Sequence, residues 1–77
     1  MTVTIEYCVP CGHLERAIGV QRELLNRYGR QLHAVTLQTG HGGVFKISVD
    51  GQLVTDAAVD GFDTDAVTDA VERRLAA

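Results

Sequence analysis

The sequence predicts an α/β domain: a mixed four-stranded sheet with both helices on one face, in the order strand-helix-strand-strand-strand-helix. Three observations lead there. Apolar and polar residues alternate over residues 2–7 and again over 45–49, the period of a half-buried strand. Apolar residues recur at helical spacing in two segments, one beginning at Leu14 and one ending at Leu75. Asp50-Gly51 separates two strand-like runs, and this dipeptide favours a tight hairpin.

Taken in order, Val3, Ile5 and Tyr7 share one face of the first strand, with Thr2, Thr4 and Glu6 on the other. The period changes after the cysteines. Leu14, Ala17, Ile18, Leu24, Leu25 and Tyr28 mark the first helix, and Gly29 stands where a left-handed C-terminal residue is common. Leu32, Val35 and Leu37 indicate a second strand over about residues 31–38, with an imperfect alternation that leaves its inward phase open. Thr39-Gly40-His41-Gly42-Gly43 reads as a flexible turn, and Phe45, Ile47 and Val49 as the inner face of the third strand. Residues 52–55 form a short fourth strand. A polar connection through Asp60-Gly61 leads to the second helix, capped by Asp63 or Thr64, with Val67, Ala70, Val71 and Leu75 as its buried stripe. Asp63 and Asp65 near its start and Arg73 and Arg74 near its end match the helix dipole.

A strand-helix-strand unit leaves its two strands parallel, whereas the Asp50-Gly51 hairpin adds an antiparallel pair, so the sheet is mixed. The polar faces of the first and third strands place both helices on the opposite side.

At 77 residues, 45% hydrophobic and 22% charged, the chain spans one domain, residues 1–77, with a single modest core. The formal charge is -3. Asp50, Asp56, Asp60, Asp63, Asp65, Asp69 and Glu72 face only Lys46, Arg73 and Arg74 in the C-terminal half, which argues against nucleic acid as a partner. Arg16, Arg22, Arg27 and Arg30 are interleaved with Glu15 and Glu23 and lack aromatic neighbours for base stacking, so they read as a solvated helix face. No apolar run approaches the ~20 residues of a membrane span, and the start lacks the basic-then-apolar profile of a signal peptide. The expectation is a cytoplasmic protein without a membrane partner. A polar open face made of Thr2, Thr4, Glu6, Lys46 and Ser48 points to a monomer.

Chemistry concentrates at Cys8-Val9-Pro10-Cys11, which holds both cysteines of the chain. Placed between a strand and an amphipathic helix, a CxxC reads as a thioredoxin-like redox motif. A helix N-terminus offers free N–H groups and the positive end of the dipole to a thiolate, and a second thiol three residues away can resolve a mixed disulfide. Pro10 suits a first helical turn, where its missing N–H costs nothing. Gly12 stands where covalent haem attachment needs histidine, which excludes that option.

His13 is a candidate proton relay or electrostatic partner for a thiolate, against the alternative of an ordinary surface histidine. Zinc is the competing reading of the cysteines, with Cys8, Cys11 and His13 as ligands and His33 or His41 as a fourth. No second matched ligand pair exists, so no metal and no cofactor are expected. A non-catalytic module that docks a partner on the open sheet face is the alternative from another functional class.

Three segments carry a family resemblance. They are Val3-Thr4-Ile5-Glu6-Tyr7-Cys8-Val9-Pro10-Cys11-Gly12, then Gly43 through Val54, and more weakly Gly61-Phe62 with the acidic helix start and apolar stripe after it. Together they resemble the selenoprotein W-like group of thioredoxin-fold proteins, the Rdx family. The resemblance implies a small redox protein that exchanges disulfides with low-molecular-weight thiols or protein thiol clients. It maps Cys8 to the family's first cysteine and Cys11 to the position where some members carry selenocysteine, which makes Cys11 a candidate attacking group. Helix-tip physics favours Cys8 instead, with Cys11 as resolver. Larger thioredoxins place a cis-proline beside the motif, but Pro10 is the only proline here. Client docking is therefore expected on another loop, Gly40, His41, Gly42 and Gly43.

Overall fold

The computed structural model describes residues 1–56 and 64–76. Its elements are β1 (Thr2–Cys8), α1 (Leu14–Tyr28), β2 (Ala34–Gly40), β3 (Phe45–Val49), β4 (Gln52–Asp56) and α2 (Thr64–Ala76). The strand order is β2-β1-β3-β4, with β1 parallel to β2 and antiparallel to β3, and β3 antiparallel to β4.

The register lines the apolar alternations up in rows. Val3 sits between Val35 and Val49, Ile5 between Leu37 and Ile47, and Tyr7 between Thr39 and Phe45. Ala17, Val20 and Leu24 of α1 and Val67 and Val71 of α2 close over these rows in one buried cluster. Both helices therefore lie on one face of the sheet. Thr2, Thr4, Glu6, Lys46 and Ser48 line the other face and stay partly open to solvent. Ile5, Leu24 and Ile47 are the largest fully buried side chains, each worth about 1.5–3 kcal/mol against exposure. Among the described residues, no helix is long and apolar enough to cross a membrane.

The Asp50-Gly51 hairpin has positive φ at both central residues, 51° and 85°, the geometry of a type I′ turn. Asp50 also anchors the start of β1. Its N–H donates to the Thr2 carbonyl at 2.9 Å, and its Oδ1 accepts the Thr2 N–H at 2.9 Å. At the same end, Arg74 of α2 donates to Gln52 Oε1 at 2.6 Å.

Several boundaries differ from the sequence expectation. β2 begins at Ala34, not near residue 31, because the chain first tightens behind α1: the N–H groups of Gln31 and Leu32 both donate to the Tyr28 carbonyl. Leu32 is buried from that turn, not from the strand, which explains the broken alternation. β2 then runs through Thr39 and Gly40, so two of the five residues of the expected flexible turn are strand. Gly29 has φ -51° and is not left-handed; a Cβ there would stand 2.5 Å from the Leu25 carbonyl oxygen. Leu14 and Leu25 are 43% and 44% exposed, whereas Val20 is buried. In β4 a bulge shifts the register, with Thr55 opposite Ile47 but Leu53 opposite Ser48. The extra residue, Val54, packs on the core while Leu53 stays exposed. The Asp60-Gly61 connection and an Asp63 cap lie outside the described residues.

Gly19 is exposed within α1, and a Cβ there would meet no atom within 4 Å. Gly19→Ala should therefore stabilise the domain by about 0.5–1 kcal/mol, read as a higher urea midpoint at unchanged slope. Asp50→Ala should move the midpoint the other way, by about 1–2 kcal/mol, because it loses the Thr2 contact and strains the positive φ.

Candidate functional site

β1 delivers Cys8 to the edge of the core, and the backbone there is tied on both sides. The Cys8 N–H donates to the Val44 carbonyl at 2.8 Å, and the Val9 N–H donates to the Gly40 carbonyl at 3.1 Å. The chain then reverses: the Gly12 N–H returns to the Val9 carbonyl at 3.2 Å, closing a β-turn with Pro10 at its second position and Gly12 at its fourth. Those are the positions proline and glycine favour. Pro10 is thus a turn residue ahead of α1 and not part of a first helical turn; its fixed φ sets the reversal. Gly12 has φ 77°, so it also supplies the left-handed step that directs the chain into the helix.

The turn brings the Cα atoms of Cys8 and Cys11 to 5.3 Å, and the two cysteines form a disulfide. Their environments are unlike. Cys8 is 0% exposed, buried among the strand ends, whereas Cys11 is exposed on the turn.

His13 occupies the N-cap position of α1, and its side chain makes no capping hydrogen bond. With no side-chain cap from His13, the N-terminal end of α1 presents partial positive charge beside the cysteine turn. The half-buried His13 ring stands edge-on to Phe45, with centroids 5.9 Å apart and planes at 85°. Neither Phe45 as ring support nor Val44 as carbonyl anchor was singled out in the sequence. Both follow only from the β1–β3 pairing.

Gly40 lies opposite Cys8 in the parallel ladder. A Cβ on it would fall 2.6 Å from Val44 Cγ1 and 3.1 Å from Glu6 Oε2, so the bare backbone allows the loop to fold against the motif. His41 is exposed, and Gly42 and Gly43 have φ of 73° and 81°. The structure thus gathers Cys8, Pro10, Cys11, Gly12, His13 and the Gly40–Gly43 segment at one end of the sheet.

Other groups lie elsewhere. His33 Nδ1 is 3.4 Å from the Met1 amino nitrogen, at the opposite end of β1 from Cys8, which removes it as a fourth zinc ligand. Among the described residues no three His, Cys, Asp or Glu side chains gather around a common point. A concavity of about 540 Å³ is lined by Leu25, Tyr28, Arg30 and Gln31 at the far end of α1. Cys11 stands exposed on the turn, away from that concavity. Arg27 also sits at that far end, its pKa shifted upward because its guanidinium donates a hydrogen bond to the Glu23 carboxylate one turn earlier.

A CxxC at the strand-to-helix junction of a β-α-β-β-β-α domain with a mixed sheet defines a small thioredoxin-like protein. More particularly, the chain belongs to the Rdx family, whose family profile matches residues 2–73. A crystal structure of a Bordetella parapertussis protein is similar at 35% identity and a TM-score of 0.89, covering 95% of each chain. A selenoprotein W-related protein from Vibrio cholerae shares the fold at 22% identity and a TM-score of 0.89, covering 96% of this chain and 95% of the other. Among curated proteins, none matches the chain significantly. Gly61-Phe62, part of the third resembling segment, lies outside the described residues.

Gly40→Ala tests how tightly the loop is set against the motif. The added methyl must displace Val44, so a loss of about 1–3 kcal/mol in urea denaturation of the oxidised protein is expected.

Proposed function

We propose that this protein is a small thiol-disulfide redox protein that uses Cys8 and Cys11 to exchange disulfides with low-molecular-weight thiols or protein clients. The observation that carries the proposal is the Cys8–Cys11 disulfide itself, with one sulfur on the exposed turn and the other on a buried strand end.

That asymmetry favours Cys11 as the sulfur that meets the partner. In the reduced protein the Cys11 thiolate attacks one sulfur of a client disulfide, and the other client sulfur leaves as a thiolate. Cys8, after giving its proton to water, attacks the Cys11 sulfur of the mixed disulfide. The second client thiolate leaves, the protein disulfide forms, and two electrons have passed to the client. Two thiols from the small-molecule pool reverse the sequence. The start of α1, which His13 does not cap, favours negative charge on the turn, and His13, whose ring rests edge-on against Phe45, serves as the proton relay. The Gly40–Gly43 loop, bonded to the motif through the Gly40 and Val44 carbonyls, is the surface on which a client rests in place of a cis-proline segment. The polar open face of the sheet favours a monomer, and sedimentation at micromolar concentration is its check.

A redox titration of the Cys8/Cys11 pair with intact-mass readout tests the proposal. A reversible two-electron transition is expected. Cysteines that stay inert to iodoacetamide at neutral pH and never link after oxidant would leave a binding module instead. In single variants, Cys8→Ser treated with a small-molecule disulfide should still form a mixed disulfide at Cys11, releasing the other half as a thiol, and remain trapped in it. Cys11→Ser should be alkylated at least about tenfold more slowly at pH 7, because its remaining sulfur is buried. Faster alkylation of Cys8 in its single-cysteine background than of Cys11 in its own would reverse the roles and leave the redox function standing.

A further inference from the structure

The exposed large apolar side chains among the described residues are Val9, Leu14, Leu25 and Leu53. Isolated ones are ordinary on a protein surface. Val9 and Leu14 are not isolated from each other or from the chemistry: they bracket Cys11, two residues before it and three after it. Val9 is 50% exposed on the turn, and Leu14 is 43% exposed as the first residue of α1. Pro10 between them is exposed as well. On the other flank of Val9 lies the glycine loop, where a Cβ at Gly42 or Gly43 would meet nothing within 4 Å. No side chain of Gly42 or Gly43 therefore screens the apolar rim from a partner approaching Cys11.

The charges around the rim are also informative. No lysine or arginine precedes Arg16 in the chain, and Arg16 is already engaged in an interaction of its own. The first turn of α1 carries an acid, Glu15. A small thiol with two carboxylates thus meets an acid, Glu15, in the first turn after Cys11, whereas an apolar side chain finds two half-exposed partners to cover.

Resting on the redox reading above, we propose that Val9 and Leu14 are the specificity-determining residues for exchange at Cys11. They select a protein cysteine flanked by apolar side chains over small anionic thiols such as glutathione. In the selected step the partner thiolate attacks the Cys11 sulfur of the disulfide, the Cys8–Cys11 bond breaks, and Cys8 leaves as a thiolate that takes a proton from water. The product is a mixed disulfide between the partner and Cys11, formed while the partner's flanking side chains cover Val9 and Leu14.

The test measures reduction of the oxidised protein by two probes, glutathione and a capped, uncharged leucine-cysteine-leucine peptide, with rates corrected for thiolate concentration. The wild type should react about tenfold faster with the peptide. The double variant Val9→Ser, Leu14→Gln should lose about fivefold of the peptide rate, as expected when apolar cover is lost at both sites, and should keep its glutathione rate within about twofold. Leu14→Met, which preserves apolar area, should keep the peptide rate. Equal rates for the two probes, an unchanged peptide rate in the double variant, or a parallel fall of both rates would overturn the selectivity while the redox function stands. Reduction by neither probe would sink the redox reading and the selectivity with it.

Discussion

β1 is hydrogen-bonded along both edges, to β2 in parallel and to β3 in antiparallel sense, and every other part of the molecule takes its position from that double pairing. A parallel neighbour requires a crossover, which the chain makes with α1; the antiparallel neighbour leads through a two-residue hairpin to β4. Because side chains alternate along a strand, a slip of one residue in either ladder would turn Val3, Ile5 and Tyr7 away from the helices. The same register fixes what surrounds the last residue of β1. Gly40 comes to lie across from Cys8 on one side, and the Val44 carbonyl accepts its N–H on the other.

The chemistry of the site is a consequence of where β1 stops. Up to Cys8 the backbone is held by ladders and the side chain is inward; from Val9 it is held by a single turn and the side chains face solvent. A CxxC laid across that boundary necessarily has one protected and one accessible sulfur. Nothing more elaborate than a strand end and a Pro-containing turn is needed to give the two cysteines different exposure.

How much of this was legible in the sequence depended on range. Alternation in residues 2–7 and 45–49, the Asp50-Gly51 dipeptide and the CxxC are local signals, and the structure realises each of them. The phase of β2 was not legible, because Leu32 is buried by a turn that only the end of α1 creates. Leu14 and Leu25 satisfy helical spacing yet lie outside the sheet's footprint, which a helical wheel does not encode. Pro10 fits both a first helical turn and the second position of a β-turn, and only the Gly12 to Val9 hydrogen bond decides between them. Phe45 stands far from His13 in the chain and meets its ring because β3 returns beside β1.

The disulfide encloses only four residues, from Cys8 to Cys11, and they are already reversed by a backbone hydrogen bond. Closing so short a ring restricts the unfolded chain little, by about 2 kcal/mol on a loop-entropy argument, against about 3 kcal/mol for a fifteen-residue loop. The ladders of β1, the hairpin and the helix packing are made by contacts that do not run through this bond. On the proposed redox reading, the domain alternates between two covalent states as one persistent scaffold, with the change confined to a single surface reversal and with little added exposure to proteolysis in either state.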